Sequence, residues 1–134
     1  MSVQNVELAR MAAEAFDRRD RDAWLQTRHP DVEVVADRGW PDAGEVRGRE
    51  AAWDFYLSVT EAFENLSIAN DVEFVAAGDD GVLILHHAGV RGRSSGLEVS
   101  FDYCVITTVR DGVVVRDEWF AEHAEGRRAA GLPD

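Results

Sequence analysis

The chain contains no lysine; all fourteen of its basic residues are arginines. The chemistry of a lysine amine, Schiff-base formation above all, is therefore excluded. A single cysteine, Cys104, rules out both an intrachain disulfide framework and a cysteine zinc cluster. Prolines occur only at positions 30, 41 and 133. No apolar run approaches the roughly 20 residues that a membrane helix needs. The N-terminal stretch MSVQNVELARMAAEAFDRR is amphipathic and lacks the apolar core of a secretion signal, so the cytoplasm is the expected compartment. Basic charge is outnumbered: 26 acidic residues give a formal net charge of −12. Such a surface repels a nucleic-acid backbone or an anionic membrane, and neither is an expected partner. What is present is 134 residues, 46% hydrophobic and 30% charged, the balance of one globular domain spanning 1–134.

Val3 to Arg18 sets Val6, Ala9, Met11, Ala13 and Phe16 near one helical stripe. Asp20 is a natural N-cap for a short second helix carrying Ala23, Trp24 and Leu25, which His29-Pro30 ends. Asp31 to Ala36 reads as a strand and Asp37 to Gly48, rich in glycine, as a loop. Ala52, Phe55, Tyr56, Val59 and Phe63 recur at helical spacing over Arg49 to Asn65. After Leu66 the period changes. Strands are expected over Ile68–Ala77, Val82–Arg93, Leu97–Arg110 and Val113–Phe120, separated by Gly78-Asp79-Asp80-Gly81, Ser94-Ser95-Gly96 and the hairpin dipeptide Asp111-Gly112. A charged helical tail from Glu122 to Ala130 follows and stops at Gly131. Helices first and strands later argue for an α+β domain with its helices on one face of a bent, mainly antiparallel sheet. Both faces of that sheet carry apolar residues, so a homodimer through the sheet is expected to cover the second.

HPDVEVVAD after the first helices, WPDAGEVRGREAAWDFY into the long helix, RGRSSGLEV between strands, and VRDGVVVRDEWF with AAGL at the end resemble the SnoaL-like domains of the nuclear transport factor 2-like superfamily. The resemblance runs over almost the whole chain. It implies a cone: a strongly curved sheet around N-terminal helices, with a recess at the open end. It also implies a range of functions, since the superfamily includes ketosteroid isomerases, limonene epoxide hydrolases, polyketide cyclases and non-catalytic binding proteins. No catalytic pattern carries over. A Tyr and an Asp common near the end of the sheet stand here as Phe120 and Glu122.

Turn geometry assigns the strand faces. A two-residue Asp111-Gly112 turn pairs Arg110 with Val113, and a two-residue Ser94-Ser95 turn pairs Arg93 with Gly96. Two rival constellations follow. One joins His87, Asp102, Cys104, Asp117 and Trp119; the other joins His86, Tyr103, Arg116 and Glu118. A one-residue slip in either turn exchanges their members. The first is expected on the concave face, because an imidazole and two carboxylates amid apolar neighbours could abstract a proton beside a carbonyl or activate water. Asp117, His87 and Asp102 are thus the candidate catalytic residues, and Trp40, Trp53, Tyr56, Cys104 and Trp119 the candidate ligand-binding ones. Against this, either histidine could be structural, Asp117 and Glu118 could be solvated or paired with Arg116, Asp102 beside His87 could be a cross-strand pair that only fixes register, and Cys104 could be a small core residue; Trp24 reads as helix packing, and Trp53 and Tyr56 could simply fill the core.

Aromatic and apolar walls with few polar groups suit a small hydrophobic ligand. No cofactor is expected. Nor is a metal, because no histidine and carboxylate stand at i, i+4 on a helix, and His123 with Glu122 and Glu125 reads as a solvated tail. Three functions fit: a cofactor-independent isomerase, cyclase or hydrolase; a non-catalytic binding or accessory domain; or a structural homodimer module.

Overall fold

A computed structural model describes residues 2–36, 44–64 and 66–133. The first helix, α1 (Ser2–Asp17), buries Ala9, Ala12, Ala13, Ala15 and Phe16. Four alanines on one face let it lie close against the sheet. The chain reverses at Arg19, whose φ is +58°, and Asp20 caps α2 (Arg21–Gln26) by accepting from the Ala23 amide at 3.2 Å. His29-Pro30 ends helical structure as expected, but β1 (Arg28–Ala36) already starts there, three residues before the expected strand.

The glycine-rich stretch assigned to loop contains an edge strand, β2 (Gly44–Arg47), antiparallel to β1. Its four residues are too few for a two-residue period to show in the sequence; pairing with the free edge of β1 supplies the order. Next come α3 (Arg49–Glu61), β3 (Val72–Ala77), β4 (Gly81–Arg91), β5 (Glu98–Arg110), β6 (Val113–Phe120) and α4 (His123–Ala129). The six strands form one sheet in the order β2-β1-β6-β5-β4-β3. All neighbours are antiparallel except β1 and β6, which run parallel and join the first half of the chain to the last.

The expected meander is present, and the β4–β5 register is as read. His87 stands opposite Asp102 and His86 opposite Tyr103. Asp111 (φ +51°) and Gly112 (φ +79°) make the two-residue turn that pairs Arg110 with Val113. Two residues further on, the expectation fails. Val109 pairs with Val114 but Thr108 pairs with Arg116, so Val115 is an extra residue in β6. This β-bulge reverses the facing of everything after it. Asp117 and Trp119 therefore share a face with Tyr103, Val105 and Thr107, while Arg116, Glu118 and Phe120 share the other with Cys104 and Ile106.

The inner face packs against α1, α2 and α3 around a core of Phe16, Trp24, Trp53, Tyr56, Tyr103, Val105 and Trp119. Part of the outer face is covered by the chain's own C-terminus. Leu83, Leu85, Cys104 and Ile106 lie beneath Phe120, Ala130 and Leu132. Among the described residues, no helix is long and apolar enough to cross a membrane.

Candidate functional site

The bulge delivers one carboxylate to the interior. Asp117 is fully buried, and three donors converge on it from three elements. Arg28 Nη2 on β1 lies 3.0 Å from Oδ2, the Tyr56 hydroxyl on α3 donates to Oδ2 at 2.9 Å, and the Thr107 hydroxyl on β5 donates to Oδ1 at 2.7 Å. A buried carboxylate needs this compensation, since desolvation alone would cost several kcal/mol or more. The Arg28 guanidinium is itself 4% exposed, stacks over the Trp24 ring at 4.0 Å, and donates through Nη1 to Thr27 Oγ1 at 2.8 Å. Asp117 pairs with Arg28 and not with Arg116, whose guanidinium lies on the outer face beside Glu33 and Glu118.

Burial, reinforced by the Asp117 charge, raises the Tyr56 hydroxyl well above the ordinary tyrosine value. Tyr56 therefore keeps its proton and remains a donor. Its ring meets those of Phe16, Trp24 and Trp119 at centroid distances of 5.6, 5.1 and 5.1 Å, which immobilises the hydroxyl.

Tyr56, Arg28 and Thr107 border a cavity of about 30 Å³, closed by Ala9, Ala12 and Ala13 of α1, by Ile68, Ile84 and Val105, and by Trp24, Trp119 and His86. Ile68 is held in place by Asp17, which accepts from the amides of Ile68 and Ala69 at 2.9 and 3.1 Å. The cavity's volume is enough for one or two water molecules. Asp117 lies behind its three donors and is not part of the lining.

His86 is another polar group of the inner face. It is 5% exposed, stacks face to face on Tyr103 with centroids 4.2 Å apart, and its buried Nδ1 has no hydrogen-bond partner among the described residues. Burial first, then the nearby His123 and His87, push the imidazole down from 6.5 to about 3. His86 is thus a neutral ring at any physiological pH, with an uncommitted nitrogen at the wall of an apolar chamber.

The structure separates the expected catalytic group. Asp117 is inside, but His87 and Asp102 are on the outer face, 61% and 57% exposed, joined by a 2.7 Å contact between Nδ1 and Oδ1. Cys104, expected in the ligand site, faces outward beneath α4, where its thiol meets Gly126 and donates to the Glu122 carbonyl at 3.5 Å. Both corrections have one cause: β4 and β5 kept their expected register, whereas the bulge moved only β6.

Of the aromatic candidates, Tyr56 and Trp119 line the cavity. Trp53 packs behind them on Phe16 and Trp24, and Trp40 lies outside the described residues. Trp24, read as helix packing, is also cavity wall. His86 belonged to the rival constellation. Arg28 and Thr107 stand outside both constellations: an aspartate turned inward needs a buried cation, but Arg116 and Glu118 beside it in VVVRDEWF hide that need in the sequence.

A family model described as SnoaL-like domain matches residues 8–117. Among curated protein sequences, none matches. Solved structures similar to this chain include an NTF2-like protein from Burkholderia xenovorans, 26% identical, with a TM-score of 0.78 over 97% of this chain and 98% of that one. A protein from Jannaschia sp. CCS1, assigned as a SnoaL-like polyketide cyclase, is 24% identical, with a TM-score of 0.75 over 99% and 95% of the two chains. TerC, co-crystallized with polyporic acid, is 24% identical, with a TM-score of 0.73 over 96% and 98%. With the family model matched over most of its length, and with the helices and curved sheet of those structures, the chain belongs to the SnoaL-like domain family.

Proposed function

We propose that this protein is a cofactor-independent enzyme of the isomerase, cyclase or hydrolase type, acting by acid–base chemistry on a small hydrophobic molecule in the inner-face cavity. The observation that carries the reading is the fully buried Asp117 carboxylate, served by donors that themselves face the cavity. A buried ion pair rarely improves stability over apolar residues of the same volume, so its presence fits a chemical use. SnoaL-like polyketide cyclases among the similar structures, and polyporic acid in TerC, agree with an apolar aromatic substrate class.

The arrangement suggests how a proton moves. A carbonyl oxygen of the substrate takes the Tyr56 O–H hydrogen bond in place of Asp117. That leaves Asp117 Oδ2 held by Arg28 alone and, once the side chains in front of it shift with the cavity wall, able to accept a proton from the adjacent carbon or from a water molecule. The Tyr56 hydroxyl then stabilises the oxyanion, and His86 Nδ1 orients a second polar group of the substrate. At about 30 Å³ the cavity admits a substrate only when side chains of its aromatic wall shift.

A thermal-shift screen over quinones, polyketide-like aromatics, terpenoids and steroids identifies the ligand, and mass spectrometry of the mixture identifies a product. Asp117→Asn and Tyr56→Phe should each lower turnover by about 10²-fold or more, measured at a temperature where circular dichroism shows the variant folded. Ligands that raise Tm without being converted would replace this reading by a binding domain, and unchanged turnover in both variants would remove Asp117 and Tyr56 from the chemistry.

A further inference from the structure

The outer face carries a second polar cluster that the cavity does not use. His87 on β4, Asp102 on β5 and His123, the first residue of α4, each present one donor atom within 4.8 Å of the other two. The geometry points to a binding site for a divalent first-row transition-metal ion, such as Zn²⁺, Ni²⁺ or Co²⁺, at His87, Asp102 and His123. Two imidazoles and a carboxylate form the mixed nitrogen–oxygen donor set that these ions favour.

The orientation of His123 is the decisive feature. Its Nε2 lies 3.0 Å from the His86 carbonyl and 2.9 Å from the Tyr103 carbonyl. Both partners only accept, so Nε2 carries the proton and Nδ1 holds the free lone pair. Anchoring one ring nitrogen on backbone carbonyls to fix the tautomer of the other is how proteins prepare a metal-binding imidazole. The His123 ring stands edge-on to His87, with centroids 5.0 Å apart.

His87 and Asp102 sit at directly paired positions of β4 and β5 and share a proton across 2.7 Å. Ligand atoms around one such ion stand about 3 Å apart, so a cation replaces that shared proton with little movement of the pair. His123 has further to come. The side chains of His87 and Asp102 are more than half exposed, which leaves both the approach and the closing rotations open. Three protein ligands leave a coordination position for water. The net charge of −12 raises the local concentration of cations. Bound there, the ion ties the first turn of α4 to the middle of the sheet.

The test uses the tag-free full chain after dialysis against a chelator. Titration with Co²⁺, followed by its visible absorption and by Zn²⁺ competition, should show one saturable site per chain. His87→Gln, Asp102→Asn and His123→Gln should each weaken it at least about tenfold, and His29→Gln should leave it unchanged. Tm of the unaltered chain should rise with Zn²⁺, and Tm of the His87→Gln chain should not. His87 and Asp102 are exposed, so those two variants report on binding even if His123→Gln loosens α4. Absence of a one-to-one site, or a site that persists in His87→Gln and Asp102→Asn, would overturn the assignment.

Discussion

The buried imidazole of His86 should make the protein lose stability in mild acid, and a single substitution should remove most of that loss. Folding lowers the His86 pKa from 6.5 to about 3. Between those values the unfolded chain binds a proton that the folded chain does not, so stability is fully present above pH 6.5 and falls as pH drops below it. At pH 5 the unfolded imidazole is almost wholly protonated and the folded one almost wholly neutral. The difference amounts to about 2 kcal/mol relative to pH 8. For a chain of this size that is a fall in Tm of about 7 °C.

His86→Phe keeps the stack on Tyr103 and removes the titrating group. Urea unfolding of both proteins at pH 8 and pH 5 isolates its contribution. The two proteins differ only at position 86, so the comparison isolates that side chain, and pH 5 stays above the range in which most carboxylates protonate. The variant should lose about 2 kcal/mol less than the parent between the two pH values. Equal losses in the two proteins would show that His86 is not buried on the inner face and would return the strand faces to question.

The Arg28–Asp117 pair gives a second expectation. Arg28→Met leaves the Asp117 charge buried without its cation and should cost about 3–5 kcal/mol in urea unfolding, whereas Arg28→Met combined with Asp117→Leu should recover most of it. A single-variant cost below about 1 kcal/mol would mean the pair is hydrated rather than buried. At the outer face, a Cβ on Gly126 would overlap the Cys104 sulfur. Gly126→Ala should therefore cost about 1–3 kcal/mol by overpacking, and Cys104→Ala should relieve much of that cost. Strictly additive effects in that pair would contradict the seating of α4 on β5.

The α+β class, the resemblance to its family and most of the local structure are legible in the residues alone. Helical stripes, the Asp20 cap and the Asp111-Gly112 turn are short-range matters of side-chain spacing and backbone preference, which neighbouring residues settle among themselves. The pairings of His87 with Asp102 and of His86 with Tyr103 followed from turn length alone. Three features arise from contacts between segments distant in the chain. The Val115 bulge has no mark in VVVRDEWF, because an extra residue in a strand is imposed by what its two faces must pack against. It carried Asp117 inward, away from His87 and Asp102. Arg28 became a partner of Asp117 only when β1 closed alongside β6, across 89 residues of chain, and Thr107, 10 residues away on β5, only once the bulge had turned Asp117 to its face. The meeting of His123 with His87 and Asp102 likewise joins a helix start to two strands. Periodicity along one element cannot announce a cluster assembled from three, because the distances that matter run across the fold and not along the chain.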